Sequence, residues 1–417
     1  MINRVKIVIL TLLWMPCASM AQTLPPDNPS LQEKASHFEK IIRERHVKHG
    51  FVRELKGGFL HSSDNDGLWT ALYVTAMSFK YAATKDPKAR QWARESFRSL
   101  EWLEKITGKP GFPARSIVKV GEPKKHGYDG EWHVDASGKW EWKGDTSSDE
   151  LDGHFLAYSV FYDLVADGPE KMRVQRLVRR VMDTIIENDW YLVDLDGKPT
   201  RWGVWNPKQL NDGQPVHGLQ DEDWSQERGL NSLEILSHLK AAHHITGDPK
   251  YQTKYMELVE KHRYAENVRN GVIDPADLNH SDVELAFCAF YPLLKYEADP
   301  ALLSIYRESL RKTWEIVKPV KSPWWNFTQC IFNGEDCGLE EGIKTLEKMS
   351  WKQINLPGGV EESGIYTHTL LRWNGNPYRP NPGNGDIEGD GVVFLLPYWM
   401  GRYHGQLTVS SGADATH

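Results

Sequence analysis

The stretch SDVELAFCAFYPLLKYEADPALLSIYRESLRKTWEIV (281–317) decides the fold. Its first half is apolar or small on most sides, as expected of a helix buried nearly all round. Asp299-Pro300 then supplies a capping carboxylate followed by a proline suited to a first helical turn. Beyond it Leu302, Leu303, Tyr306, Leu310 and Trp314 recur at helical spacing among charged residues, which predicts a helix that buries one face. The unit is a helical hairpin with one inner and one half-exposed member.

The same turn recurs at Asp86-Pro87, Asp167-Gly168-Pro169 and Asp248-Pro249, each preceded by an apolar run and followed by an amphipathic one. The spacing predicts inner helices over 66–84, 149–165, 229–246, 281–297, 324–332 and 389–405. It predicts half-exposed helices over 31–46, 87–107, 169–188, 249–264, 300–317 and 338–350. With six of each, the last inner helix needs the first outer one as its partner, so the expected fold is all-α, an (α/α)6 toroid. An open helical solenoid is the alternative. Three insertions interrupt the rhythm near 108–148, 188–228 and 351–389. Two of them carry segments that read as small β-hairpins turning at Ser137-Gly138 and Asp196-Gly197.

The N-terminus, MINRVKIVILTLLWMPCASMAQ, has two cations, an apolar core and a small-residue end, the layout of a secretory signal peptide cleaved after Ala21. Residues 22–417 are then expected to form a single catalytic domain in the periplasm or outside the cell. Cys17 follows Pro16, which argues against lipidation. No later apolar run is long enough to span a membrane. The net charge of −7, two units more negative without Arg4 and Lys6, argues against nucleic acid or an anionic membrane as partner. Of the four cysteines, Cys330 and Cys337 are near enough to bridge a loop, while Cys288 reads as core. The 17 tryptophans are an excess, and those in polar loops suggest stacking on a ligand.

If the turns are equivalent, the residues 18 to 20 positions before each lie together at the opposite end of the ring, roughly 27 Å away by helical rise. Those positions fall in SSDND (62–66), DTSSDELD (145–152), SQER (225–228) and NHSD (279–282). A helix cap needs one polar residue, and each of these segments carries three or more. Capping explains any one of them; together they suggest the lip of a sugar-binding cleft.

The motifs DNDGLWTA (64–71), GFPARS (111–116), GDTSSDELDGHF (144–155), TRWGVW (200–205), NHSDVELAF (279–287) and RWNGNPYR (372–379) resemble the six-hairpin glycosidase-like superfamily of (α/α)6 toroids. The chain is also similar to a group of exported bacterial proteins that share those motifs. The resemblance implies an exported enzyme acting on polysaccharide fragments. In the unsaturated-glucuronyl hydrolase branch two aspartates near the starts of inner helices do the chemistry, and by position Asp66 and Asp149 match them. The same toroid also hosts other hydrolases and β-eliminating lyases.

Three activities fit. Glycoside hydrolysis, the preferred one, would use Asp149 and Asp66 as the carboxyl pair, with Asp145 or Asp152 as substitutes. Elimination from a uronic acid, as lyase or dehydratase, would use His280 or His217 with Tyr366 and a neutralising arginine among Arg115, Arg228, Arg372 and Arg379. A non-catalytic sugar-binding protein is the third. Trp69, Trp224, Trp325, Trp373 and His154 complete the expected substrate-binding set. The arginines favour an anionic oligosaccharide. No cofactor is expected; Asp386, Glu388 and Asp390 in GNGDIEGDG could hold a structural Ca²⁺, against the plainer reading of a solvated loop.

Overall fold

A computed structural model describes residues 29–126, 130–213, 224–334, 336–351, 354, 378 and 384–408. The expected signal peptide therefore lies outside the described residues, as do His217, Tyr366, Arg372, Trp373 and Arg379. Its α-helices are α1 (Leu31–Ile41), α2 (Asp66–Thr84), α3 (Pro87–Ile106), α4 (Ser148–Leu164), α5 (Gly168–Glu187), α6 (Pro207–Asp212) and α7 (Arg228–Thr246). They continue as α8 (Pro249–Glu260), α9 (Tyr264–Asn270), α10 (His280–Tyr296), α11 (Pro300–Val317), α12 (Pro323–Asn333), α13 (Leu339–Lys348) and α14 (Val392–Tyr403).

The four Asp-Pro turns behave as their chemistry requires. Asp86, Asp167, Asp248 and Asp299 each cap the following helix by accepting from a backbone N–H of its first turn. Each outer helix then buries one stripe. In α3 this stripe is Ala89, Ala93, Phe97 and Leu100, with Phe97 stacked on Phe161 of α4 at 4.1 Å. Burying a side chain such as Phe97 or Leu100 contributes about 1.5–3 kcal/mol. The inner helices α2, α4, α7, α10, α12 and α14 pack side by side, and α14 returns to α2.

Ring closure separates the toroid from the solenoid. Tyr398 of α14 donates to Gln32 of α1 at 2.8 Å, and Trp399 donates to Glu39 at 3.0 Å. The Lys34 ammonium, buried, donates to the carbonyl of Met349 at 2.8 Å. The first outer helix is thus the partner of the last inner one. Two outer helices differ from expectation. The first leaves α geometry at Ile41 and runs as a π-helix to His46, and the fourth breaks at Arg263, whose φ of 60° is left-handed, before α9.

Both expected hairpins form: β6 (Trp132–Val134) with β7 (Trp140–Lys143), and β8 (Tyr191–Val193) with β9 (Pro199–Val204). The former joins β5 (Ile117–Lys119) in the order β5-β7-β6. Strands also occupy 47–61, which helical periodicity did not announce. β1 (Val47–Lys48) pairs with β2 (Phe51–Val52), and β3 (Glu54–Lys56) lies between β4 (Phe59–His61) and β10 (Ile387–Glu388). Cys330 and Cys337 are joined in a disulfide, and Cys288 is buried and free. Among the described residues no helix is long and apolar enough to cross a membrane.

Candidate active site

The starts of α2, α4, α7 and α10 meet at one mouth of the ring, where Asn65 reaches Asp149 and where Glu227 and Asp149 act on Asp282, and their dipoles make that mouth favourable to negative charge. The first turns supply it: Asp66 in α2, Asp149 and Glu150 in α4, Asp282 in α10. These carboxyls fall into two groups, at the mouth and behind its wall.

Asp149 is half-buried at the mouth, where Asn65 donates its amide to Oδ2 at 3.0 Å. Burial pushes its carboxyl up, and the Arg115 guanidinium opposes the push. Arg115 is itself buried, donating Nε to the carbonyl of Asp145 at 2.6 Å and Nη1 to that of Asp64 at 3.4 Å, while Nη2 has no partner. Asp149 occupies the electrostatic centre of the ring. Burial is the main cause of the upward push on Glu150, Asp152, Glu234 and Asp282, and in all four the charge of Asp149 adds to it.

Asp282 is the second half-buried carboxyl of the mouth. Asn279 caps α10 by accepting from the N–H of Ser281 at 2.9 Å. Burial, then Glu227 and Asp149, push Asp282 up to about 7, against the hydrogen bond from Asn279. Glu227, just before α7, is raised by burial and by Asp277. Near neutrality Asp282 is therefore balanced between its protonated and charged forms, with a restrained carboxylate as neighbour.

Asp66, expected to pair with Asp149, sits behind the wall. It is fully buried, its Oδ1 accepts from the N–H and hydroxyl of Ser63 at 2.7 and 2.9 Å, and Arg53 Nε lies 3.7 Å from Oδ2. Burial pushes it up to about 6 against the opposing charge of Arg53. Asn65, the residue before Asp66, hydrogen-bonds Asp149, while Asp66 is held by Ser63. Asp152 and His154 are also buried, deeper in the ring: Asp152 contacts His238 at 3.0 Å, and His154 contacts Tyr158 at 3.1 Å.

Asp145 is a structural knot. Its φ is 50°, its N–H donates to Asp194 at 2.6 Å, and its Oδ1 accepts from the N–H of Arg201 at 2.9 Å, tying two insertions together. His280 is half-buried and stacks on Trp325 at 6.2 Å between ring centres. Arg228 is exposed and donates Nε to the carbonyl of Ser225 at 2.9 Å. Trp69, Trp224 and Trp325 are buried. These indoles fill space within the ring instead of offering open faces, and Trp325 also donates to Glu284 at 3.3 Å. Among the described residues no group of three or more His, Cys, Asp or Glu is placed to hold a metal ion. Glu388 is held by Arg45 at 2.7 and 2.8 Å, and Asp390 Oδ1 accepts from the N–H of Val392, the first residue of α14, at 2.8 Å.

Asp282 and Glu234 were missed as candidates, although the sequence held their signal. An acidic residue inside an apolar run, as in NSLEILSHL and SDVELAF, has to be paired, protonated or functional.

No protein-family model matches the sequence, and no curated protein does. Solved structures do. A sugar epimerase from a ruminal bacterium aligns over 91% of this chain and 99% of its own, with TM-score 0.51 and 11% identity. The chain is an (α/α)6 toroid. A glycosyl hydrolase family 88 protein from Bacteroides vulgatus aligns over 90% and 99%, with TM-score 0.47 and 13% identity. A cellobiose 2-epimerase from Spirochaeta thermophila DSM 6192 aligns over 90% and 97%, with TM-score 0.48 and 10% identity. At these identities the likeness concerns the fold of the toroid alone.

Proposed function

We propose that this toroid is an exported carbohydrate-active enzyme that hydrolyses glycosidic bonds in oligosaccharides, with Asp149 and Asp282 as its carboxyl pair. The observation that carries the reading is their contrast at one mouth. Asp282 is pushed up to about 7 by burial, Glu227 and Asp149, whereas Asp149 has Arg115 and Asn65 to favour its charged form. Two carboxyls driven apart in this way divide the work of acid and base. Asp282 would give a proton to the leaving oxygen while Asp149 activates water or attacks the sugar. Asp66, paired with Arg53, would hold the wall. A uronic-acid substrate is part of the proposal and rests on Arg115, whose Nη2 has no hydrogen-bond partner near Asp149, and on the exposed Arg228.

The test is incubation with panels of neutral and uronic-acid oligosaccharides, followed by mass spectrometry. Products that together gain one water support the reading, and both Asp149→Asn and Asp282→Asn should lower the rate by about 10²–10⁴-fold. Loss of one water, or fragments whose masses together equal the substrate's, would mean elimination, and an uncleaved sugar altered without change of mass would mean epimerisation. Tight binding without product would make it a binding protein. Each of these three outcomes rejects the proposal.

A further inference from the structure

Beneath the mouth, α4 and α7 bring Asp152 and Glu234 together, 1% and 0% exposed. One oxygen of each is accounted for. Asp152 Oδ1 lies 3.0 Å from His238 Nε2, and Glu234 Oε2 accepts from Trp205 Nε1 at 2.8 Å. The remaining oxygens, Asp152 Oδ2 and Glu234 Oε1, are wholly buried, and no donor reaches either of them. The two side chains are nevertheless within hydrogen-bonding reach of each other.

No lysine or arginine among the described residues forms an ion pair with either carboxyl. His238, whose burial holds it neutral with a pKa of about 3, offers Asp152 an Nε2–H but no charge. The other titratable groups on the surrounding helices do not help. Asp149, Glu150 and His154 of α4, Glu227 just before α7, and Asp282, Glu284 and Cys288 of α10 are acidic or neutral, while Lys240 of α7 and Lys295 of α10 pair instead with Glu297 and Asp163, and Arg228 is exposed at the start of α7. α5 buries Val174, Val178 and Val181, and its Arg179 reaches the far end of α7, donating to the carbonyl of Thr246 at 3.0 Å. Two carboxylates in contact in such a place cannot both be ionised, and a hydrogen between their facing oxygens satisfies both.

We infer that Asp152 and Glu234 share a single proton, forming an acid–carboxylate pair seated on His238 and Trp205 that acts as a positioning element beneath Asp149. The pair carries one negative charge instead of two, which keeps Asp149 able to ionise. Its effect on Asp149 rests on the hydrolase reading; the shared proton does not.

Infrared difference spectroscopy on the folded protein reads the proton directly through the carbonyl stretch of a protonated carboxylic acid. At neutral pH, Asp152→Asn and Glu234→Gln should each keep one carboxylic-acid equivalent at a shifted frequency, because the carboxyl that remains is buried without a cation and holds the proton. The double variant should remove that one equivalent and no more. Loss of two equivalents in the double variant would mean two separate protonated acids, and no loss in the double variant would mean two carboxylates; both outcomes overturn the inference. Trp205→Phe keeps both carboxyls and guards against variants that fail to fold. It should shift the frequency of the same band, and an unshifted band counts against the pair. Once a substrate is in hand, the double variant has one negative charge fewer under Asp149, so the acidic limb of its pH–rate profile should move to lower pH. A limb that stays in place removes the positioning role while the spectroscopic result stands or falls alone.

Discussion

Replacing Arg53 with Met tests whether Asp66 is part of the wall. Arg53 is fully buried where the 47–61 strands meet α2. It lies 3.7 Å from Asp66, 3.4 Å from Glu122, and against the carbonyl of Ile117. Removing one partner of a buried ion pair typically costs about 3–5 kcal/mol, because the other charge stays desolvated. With unfolding entropy near 2.1 cal/mol/K per residue, a chain of this length should lose roughly 4–6 °C in melting temperature. The pH dependence gives the loss its signature. Asp66 titrates at about 6 when folded, against 3.8 for the free side chain. A raised carboxyl gives stability that is full below its unfolded pKa and lost as pH rises through the folded one. Without Arg53 the folded pKa rises further, so the deficit of Arg53→Met should be largest near pH 8 and shrink toward pH 5. Calorimetry across that range is the assay. A deficit below about 1 kcal/mol near pH 8, or one independent of pH, would refute the buried pair as a structural clamp.

Gly229→Ala is a second case where local and tertiary preferences oppose each other. Alanine favours a helix interior by about 1 kcal/mol over glycine. Here its Cβ would lie 1.8 Å from the carbonyl oxygen of Gly271, so the variant should melt several degrees lower; an unchanged or higher melting temperature would contradict the close approach of α7 to that loop. Trp205→Phe leaves Glu234 Oε2 without its donor and should cost about 1–3 kcal/mol by chemical denaturation. Activity on any cleaved oligosaccharide should fall as pH rises through about 7, because Asp282 must be protonated to act as acid. Asp282→Asn should abolish that limb, and a profile that keeps it would assign the limb to another group.

The helices were legible because their starts are written in local chemistry: an aspartate that caps and a proline that fits the first turn act within four residues, whatever the ring does. The strands at 47–61 were not, since runs of two or three residues are too short to show alternation. The rim was visible in SSDND, DTSSDELD and NHSD, but the direction of each carboxyl was not. Asp66 and Asp149 both lie in a helix's first turn, and only the ring's packing turns one toward Arg53 and the other toward the mouth. Trp69 and Trp325 lie in runs expected to form inner helices and Trp224 follows polar residues, yet all three are buried: proximity to the rim in sequence does not say whether an indole faces the cleft or the packing between helices.

The junction of α1 with α14 also dictates an order of assembly. Gln32 and Glu39 find their hydrogen-bond partners more than 350 residues later, in the last described helix. During synthesis the earliest helix waits, its apolar stripe unsatisfied, until nearly the whole chain has emerged. Contacts of such long sequence separation form slowly. The closing hairpin is thus the seam through which this ring is completed, and the place where an unfinished chain stays open longest.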